Sequence, residues 1–228
     1  MRAGRKAPTT IQCGPTGRGG DRMTPFRLVL ASSSTYRQML LRRLGLPFSC
    51  SAPDIDERSR PGEAPRTTVT RLAKSKARRV AEQASDALVI GSDQLAMLDD
   101  RIMGKPGGRQ AAIAQLRAAS GRWVEFLTGI CLLNAATGSC QVEAVEFRVQ
   151  FRPLSDSQIE NYVDREQPFD CAGGFKSEGL GISLFVRMQG DDPTSLVGLP
   201  LISLRTMLEN EGIDVLARIS HQDTRNGT

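Results

Sequence analysis

The sequence predicts an α/β fold, a mixed and partly antiparallel sheet with helices on its faces and two lobes around a central cleft. Three observations lead there. Short apolar runs followed by helix-spaced apolar stripes fill the first half of the chain. Long segments that alternate apolar and polar residues come after them. The 228 residues are 39% hydrophobic and 24% charged, ordinary for one substantial globular domain. Strand–helix units joined to long antiparallel strands call for a mixed sheet covered by helices.

Phe26 to Ala31 is the first apolar run and reads as a strand. Ser32, Ser33, Ser34 and Thr35 follow and offer N-cap oxygens to a helix carrying Tyr36, Met39, Leu40 and Leu44. Gly45 and Pro47 end that helix in the expected order. Such a strand-to-helix turn points N–H groups and hydroxyls at an anion. Pro65 opens a second helix whose stripe is Val69, Leu72, Ala73, Ala77, Val80 and Ala84. Lys76 falls inside that stripe. A lysine there either snorkels at the helix rim or meets an anion.

Ala87 to Ile90 reads as a buried strand that ends in Gly91-Ser92-Asp93-Gln94. Leu95 to Leu98 and Arg101 to Met103 form a hairpin that turns at Asp99-Asp100. Gly104-Lys105-Pro106-Gly107-Gly108 precedes a helix bearing Ala112, Ile113, Leu116 and Ala119, closed by Ser120-Gly121. Trp123 to Leu133 and Gln141 to Arg152 are long strands. In the second, Phe147, Val149 and Phe151 alternate with Arg148, Gln150 and Arg152. Ser155 and Gln158 form a capping box for a helix with Ile159, Tyr162 and Val163. Residues 168–198 are glycine-rich and read as irregular. A last helix starts near Pro200 with Leu201, Leu204 and Leu208.

The net charge of +5 suggests nucleic acid at first sight, but its location argues otherwise. Residues 1–24 hold Arg2, Arg5, Lys6, Arg18 and Arg22 against Asp21 alone, so the body is nearly neutral. That Gly/Pro/Arg-rich stretch has no apolar periodicity and is read as a disordered basic extension, with 25–213 as the folded domain and 214–228 as a tail. No run approaches the roughly 20 apolar residues of a membrane span. The five cysteines, Cys13, Cys50, Cys131, Cys140 and Cys171, include no C-x-x-C pair, and His221 is the single histidine. This excludes the usual zinc patterns and favours free thiols in a reducing cytoplasm. Cys131 and Cys140 flank a hairpin and can face each other.

There is no G-x-x-x-x-G-K-[ST], no H-E-x-x-H, and one histidine speaks against a Ser/His/Asp triad. What remains is a set of charges at strand ends and turns. Asp54, Asp56, Glu57 and Asp93 are acidic, and hard carboxylate oxygens suit Mg²⁺ or Mn²⁺. Arg37, Lys76, Lys105 and Lys176 are basic, each beside small or turn-forming residues where a phosphate can approach.

Six blocks then occur in one order. They are Leu30-Ala31-Ser32-Ser33-Ser34-Thr35-Tyr36-Arg37, Pro53-Asp54-Ile55-Asp56-Glu57, Leu72-Ala73-Lys74-Ser75-Lys76-Ala77, Gly91-Ser92-Asp93-Gln94, Gly104-Lys105-Pro106 and Phe175-Lys176-Ser177-Glu178-Gly179. The chain resembles the Maf-like nucleoside triphosphate pyrophosphatases over residues 26–209, and most of all the branch similar to 7-methyl-GTP pyrophosphatases. The resemblance implies hydrolysis of a nucleoside triphosphate to monophosphate and pyrophosphate. Ser32, Ser34 and Arg37 would hold phosphate oxygens, and Lys76, Lys105 and Lys176 would face the anionic substrate. Asp93 would accept the proton of water, and Asp93 and Glu57 would hold a divalent cation, Mg²⁺ or Mn²⁺. Tyr36, Gln94 and Glu178 match positions that set base choice. Tyr36 would stack on a cationic methylated guanine and Glu178 would accept from its N–H groups. The alternatives are the dTTP/UTP branch and a nucleotide-binding regulatory protein without turnover. The resemblance also implies a homodimer with a small-molecule nucleotide partner, while the cysteines point to the cytoplasm, the apolar runs to no membrane, and the charge distribution argues against nucleic acid as a partner. One departure is Gln38, where the family commonly has a second arginine; Arg42 or Arg43 would have to supply that phosphate contact.

Overall fold

The computed structural model describes residues 11–12 and 26–217. Its strands are β1 (Ile11–Gln12), β2 (Arg27–Leu30), β3 (Ser49–Cys50), β4 (Ala87–Leu98), β5 (Arg101–Met103), β6 (Trp123–Asn134), β7 (Cys140–Phe151) and β8 (Phe185–Gln189). The helices are α1 (Thr35–Arg42), α2 (Pro65–Ala81), α3 (Arg109–Ala119), α4 (Asp156–Glu166) and α5 (Leu201–Asn210). The strands form one mixed open sheet in the order β1-β3-β2-β4-β6-β7-β8, with β5 paired to β4. β2 is parallel to β3 and β4, and the remaining pairs are antiparallel. The fold class matches the expectation. Among the described residues no division into two lobes is shown.

Side chains alternate across each strand, and this sorts the core. On one face, Leu28, Leu30, Leu88, Ile90, Ile130 and Leu132 pack with α1 and α5. Farther along the same face, Ala96, Leu98, Val124, Phe126, Phe147, Val149 and Phe151 pack with α3 and α4. The opposite face carries Val29, Val89, Cys131 and Leu133 under Ala73, Ala77 and Val80 of α2. The local signals hold. Ser34 caps α1, Pro65 stands first in α2, and Ser155 with Gln158 makes a full capping box on α4. Gly45 turns the chain after α1 at φ +68, a left-handed conformation that costs glycine little.

Three expectations change. Gly91-Ser92-Asp93-Gln94 is not a turn, and Asp93 does not end its strand: β4 runs unbroken from Ala87 to Leu98. The parallel partner stops at the pair Leu30↔Ile90, while β6 keeps pairing from Gly91 through Met97. The glycine-rich stretch 168–198 contains a strand, β8, and three 3-10 turns at Ala172–Gly174, Leu180–Leu184 and Pro193–Val197. Ile11–Gln12, inside the extension read as unstructured, pairs antiparallel with Ser49 and Cys50. The rest of that extension, with Cys13, and the end of the tail, with His221, lie outside the described residues. Cys131 and Cys140 do face each other, with their sulfurs 3.4 Å apart as free thiols.

Candidate active site

α2 lies unusually close to the sheet because two glycines permit it. A Cβ on Gly91 would fall 2.1 Å from the Ala73 carbonyl oxygen, and one on Gly129 would fall 2.2 Å from that of Val69. Gly129 is the cross-strand partner of Asp93. Lys76 lies seven residues, two helical turns, after Val69, so it projects from the same face of α2 onto the strand position beside that glycine. Its Nζ donates to Asp93 Oδ1 at 2.7 Å and to Glu57 Oε2 at 2.9 Å. Lys76 is 4% exposed and Asp93 6%. A buried ammonium is tolerated only when paired and hydrogen-bonded, and here two carboxylates meet it.

Glu57 sits on a surface segment that is tied down just after it. Glu63 takes a two-pronged bond from Arg71 of α2, with both N···O distances at 2.6 Å. It also accepts from Thr68 Oγ1 and the Arg60 N–H, while Arg71 reaches the Arg58 carbonyl. The Arg71 guanidinium holds the Glu63 carboxyl down at about 2.

The α1 turn supplies a third group. Ser32 Oγ accepts from the Ser34 N–H at 3.1 Å and from Arg37 Nη1 at 3.5 Å, and Ser34 Oγ accepts from the Arg37 N–H. A hydroxyl that accepts two bonds still has its proton to donate. Arg37 Nε donates to the Gly198 carbonyl at 2.8 Å, which also accepts from Ser92 Oγ at 2.9 Å. Burial pushes the Arg37 guanidinium below its ordinary value, and the charges of Asp93 and then Glu57 oppose that.

A second set stands on loops. Cys171 Sγ lies 3.9 Å from Tyr36 Oη and 3.4 Å from Asp170 Oδ1. Burial first, then Cys171, Asp170 and Glu178, push the Tyr36 hydroxyl above its ordinary value. Burial and Asp170 push the Cys171 thiol up to about 12. Phe175 anchors this region, with edge-on rings at 5.5 Å to Phe126 and 4.9 Å to Phe185. Both sets line one cavity of about 530 Å³, a size suited to a small molecule.

A family model described as Maf-like protein matches residues 27–211. The chain belongs to the Maf-like family. It is 56% identical over 192 residues to a 7-methyl-GTP pyrophosphatase of Nitrosococcus oceani, covering 84% of this chain and 96% of that one. It is 54% identical to a protein of the same name from Pseudomonas syringae and 55% to one from Pseudomonas aeruginosa, in each case over 82% of this chain and 98% of the relative.

In this Maf-like chain Ser32, Ser34, Tyr36, Arg37, Glu57, Lys76, Asp93, Gln94, Lys105 and Glu178 all border the cavity. Lys176 does not: its Nζ donates to the Glu166 carbonyl at 2.7 Å. It satisfies an orphan acceptor at the end of α4, and its neighbours Ser177 and Glu178 turn to the cavity instead. Asp56 is occupied by Arg58 on the surface. Arg42 and Arg43 are exposed and are not among the residues that line this cavity. The Gln94 amide nitrogen is within bonding distance of Thr128 Oγ1 and the Ser195 and Leu196 carbonyls. Asp170, Cys171, Phe126, Leu196 and Val197 also line the cavity and carry no periodic or motif signal. No helix among the described residues is long and apolar enough to cross a membrane.

Proposed function

We propose that this protein hydrolyses the α–β phosphoanhydride of a nucleoside triphosphate, with 7-methyl-GTP as its substrate. The observation that carries the reading is Lys76, buried between Asp93 and Glu57 at the edge of a cavity that also presents Ser32, Ser34, Arg37 and Lys105. The names of the relatives support the same reading.

The triphosphate lies against the start of α1. There the N-terminal N–H groups, the Ser32 and Ser34 hydroxyls and Arg37 face its oxygens. Lys105, exposed on its loop, closes on the phosphates from the other side. Asp93 Oδ1 is held by Lys76, which leaves Oδ2 to accept the proton of an attacking water. Lys76 and Arg37 offset the charge that develops on the phosphate oxygens. Asp93 and Glu57, gathered on one ammonium, are a donor pair of the kind Mg²⁺ takes alongside substrate phosphates and water. Among the described residues no group of three or more His, Cys, Asp or Glu side chains is placed to hold a metal ion. Such a cation would therefore bind chiefly with the nucleotide, and would supply further neutralisation of phosphate charge. The family resemblance adds a homodimer to the proposal, and the cysteine pattern adds a reducing cytoplasm.

Pyrophosphate release from 7-methyl-GTP, GTP, dTTP, UTP and CTP, with Mg²⁺ and then with EDTA, tests this. Metal-dependent release led by 7-methyl-GTP is expected. Release led by dTTP or UTP would discard the substrate. Binding without release from any nucleotide would replace the enzyme with a nucleotide-binding regulator.

A further inference from the structure

Four carboxylates line the cavity: Glu57, Asp93, Asp170 and Glu178. Glu57 and Asp93 are both bonded to Lys76. Asp170 and Glu178 form no ion pair among the described residues; their side-chain contacts are the Cys171 thiol and the Ser177 hydroxyl. An anion that faces a triphosphate repels it, so these two groups belong beside the rest of the nucleotide. The hydrogen-bonding edge of guanine, with N1–H and the N2 amine, is met by one carboxylate, and Glu178 suffices for it. A second carboxylate beside Tyr36 has no task with a neutral ring.

We propose that Asp170 is a further specificity-determining residue of this cavity, selecting a nucleotide whose base carries a positive charge. The inference rests on the pyrophosphatase reading above and deepens it. Asp170 is held for that purpose. Its loop is fixed by the Gly107 N–H donating to the Phe169 carbonyl at 2.9 Å. The Cys171 thiol stands beside both Asp170 and the Tyr36 hydroxyl, and all three residues line the cavity. Tyr36, Asp170 and Glu178 line the same cavity, and the two carboxylates add to the upward push that burial and Cys171 exert on the Tyr36 hydroxyl. The ring face would meet the cationic base while the carboxylate offsets its charge.

The test compares 7-methyl-GTP, GTP and the neutral isostere 7-methyl-7-deaza-GTP on the wild type, on Asp170→Asn and on Asp170→Glu. Asp170→Asn is expected to raise KM for 7-methyl-GTP on the order of tenfold, as loss of one charge contact would. Its kcat, and its kcat/KM for GTP, should hold within about twofold, and Asp170→Glu should restore most of the loss. The wild type should favour 7-methyl-GTP over its neutral isostere by a similar factor, and this measurement stands even if Asp170→Asn fails to fold. Equal losses on all three nucleotides would overturn the inference and assign Asp170 to holding the Lys105 loop. An unchanged preference in Asp170→Asn, or equal KM for the charged and neutral methylated bases, would overturn it alone. A wild type that releases pyrophosphate without favouring 7-methyl-GTP would overturn the substrate reading together with it.

Discussion

The two sides of the cavity are built by different means. Lys76 and Asp93 are held by a helix pressed onto a sheet, with backbone against glycine and almost no solvent, and Glu57 reaches Lys76 from an exposed segment. Tyr36, Asp170, Cys171 and Glu178 stand on a helix start, on a loop and among short 3-10 turns, pinned by scattered hydrogen bonds and a cluster of phenylalanines. The difference fits the chemistry proposed for each side. Charge developing on a phosphate needs groups that do not reorganise during reaction, which dense packing provides. Choice among bases is a matter of loop side chains, which change without disturbing the core.

The comparison breaks first at Asp93. Asp93→Asn should lower turnover by at least about 100-fold, as loss of a general base does, with KM nearly unchanged. Retention of more than about a tenth of wild-type turnover in steady-state pyrophosphate release would remove Asp93 from that role. Gly129→Ala comes next, although it touches no substrate. Its Cβ would land 2.2 Å from the Val69 carbonyl oxygen, backbone that cannot swing aside. About 2 kcal/mol of stability should be lost, with a matching fall in turnover as Lys76 lifts off Asp93. Urea unfolding checks the first effect, and unchanged stability would mean that α2 is not held by this contact.

On the loop side the effects are smaller and confined to binding. Tyr36→Ala should raise KM for 7-methyl-GTP about fivefold, the loss of roughly 1 kcal/mol of cation–π contact, with turnover held. A fall in kcat instead would show that Tyr36 orders the phosphate turn. The smallest effect is on the clamp behind Glu57. The Glu63 carboxyl sits at about 2 against an ordinary 4.5, so its contribution to stability is complete above pH 4.5 and lost as pH falls toward 2. The stability gap between wild type and Glu63→Gln should be constant from neutrality down to about pH 5 and close below it, read as urea midpoints across pH. A gap that persists at pH 2 would assign the effect to shape instead of charge.

Much of this was legible residue by residue. Ser34, Pro65 and the Ser155–Gln158 box announce their helices because capping is local chemistry. Lys76 stood out because a lysine in an apolar stripe needs a partner, and the structure supplies two. Lys176 misled because its surroundings in sequence resemble those of the other basic residues, while its actual partner is a carbonyl ten residues back at a helix end. Gly91 misled in the other direction. A glycine inside a strand pattern signals either a turn or a close approach of backbone, and only the position of α2 chooses between them.

The sequence by itself determined the helices, the long strands, the fold class and most of the charged residues that border the cavity, since each shows in neighbours within a few turns of chain. It could not determine that β4 continues through Asp93, that β8 completes the sheet, or that Asp170 and Cys171 come to stand beside Tyr36. Those depend on which strand ends first, how closely a helix can lie on glycine, and where loops more than a hundred residues away dock. Contacts of that range leave no periodic trace in the chain, and only the packed structure decides them.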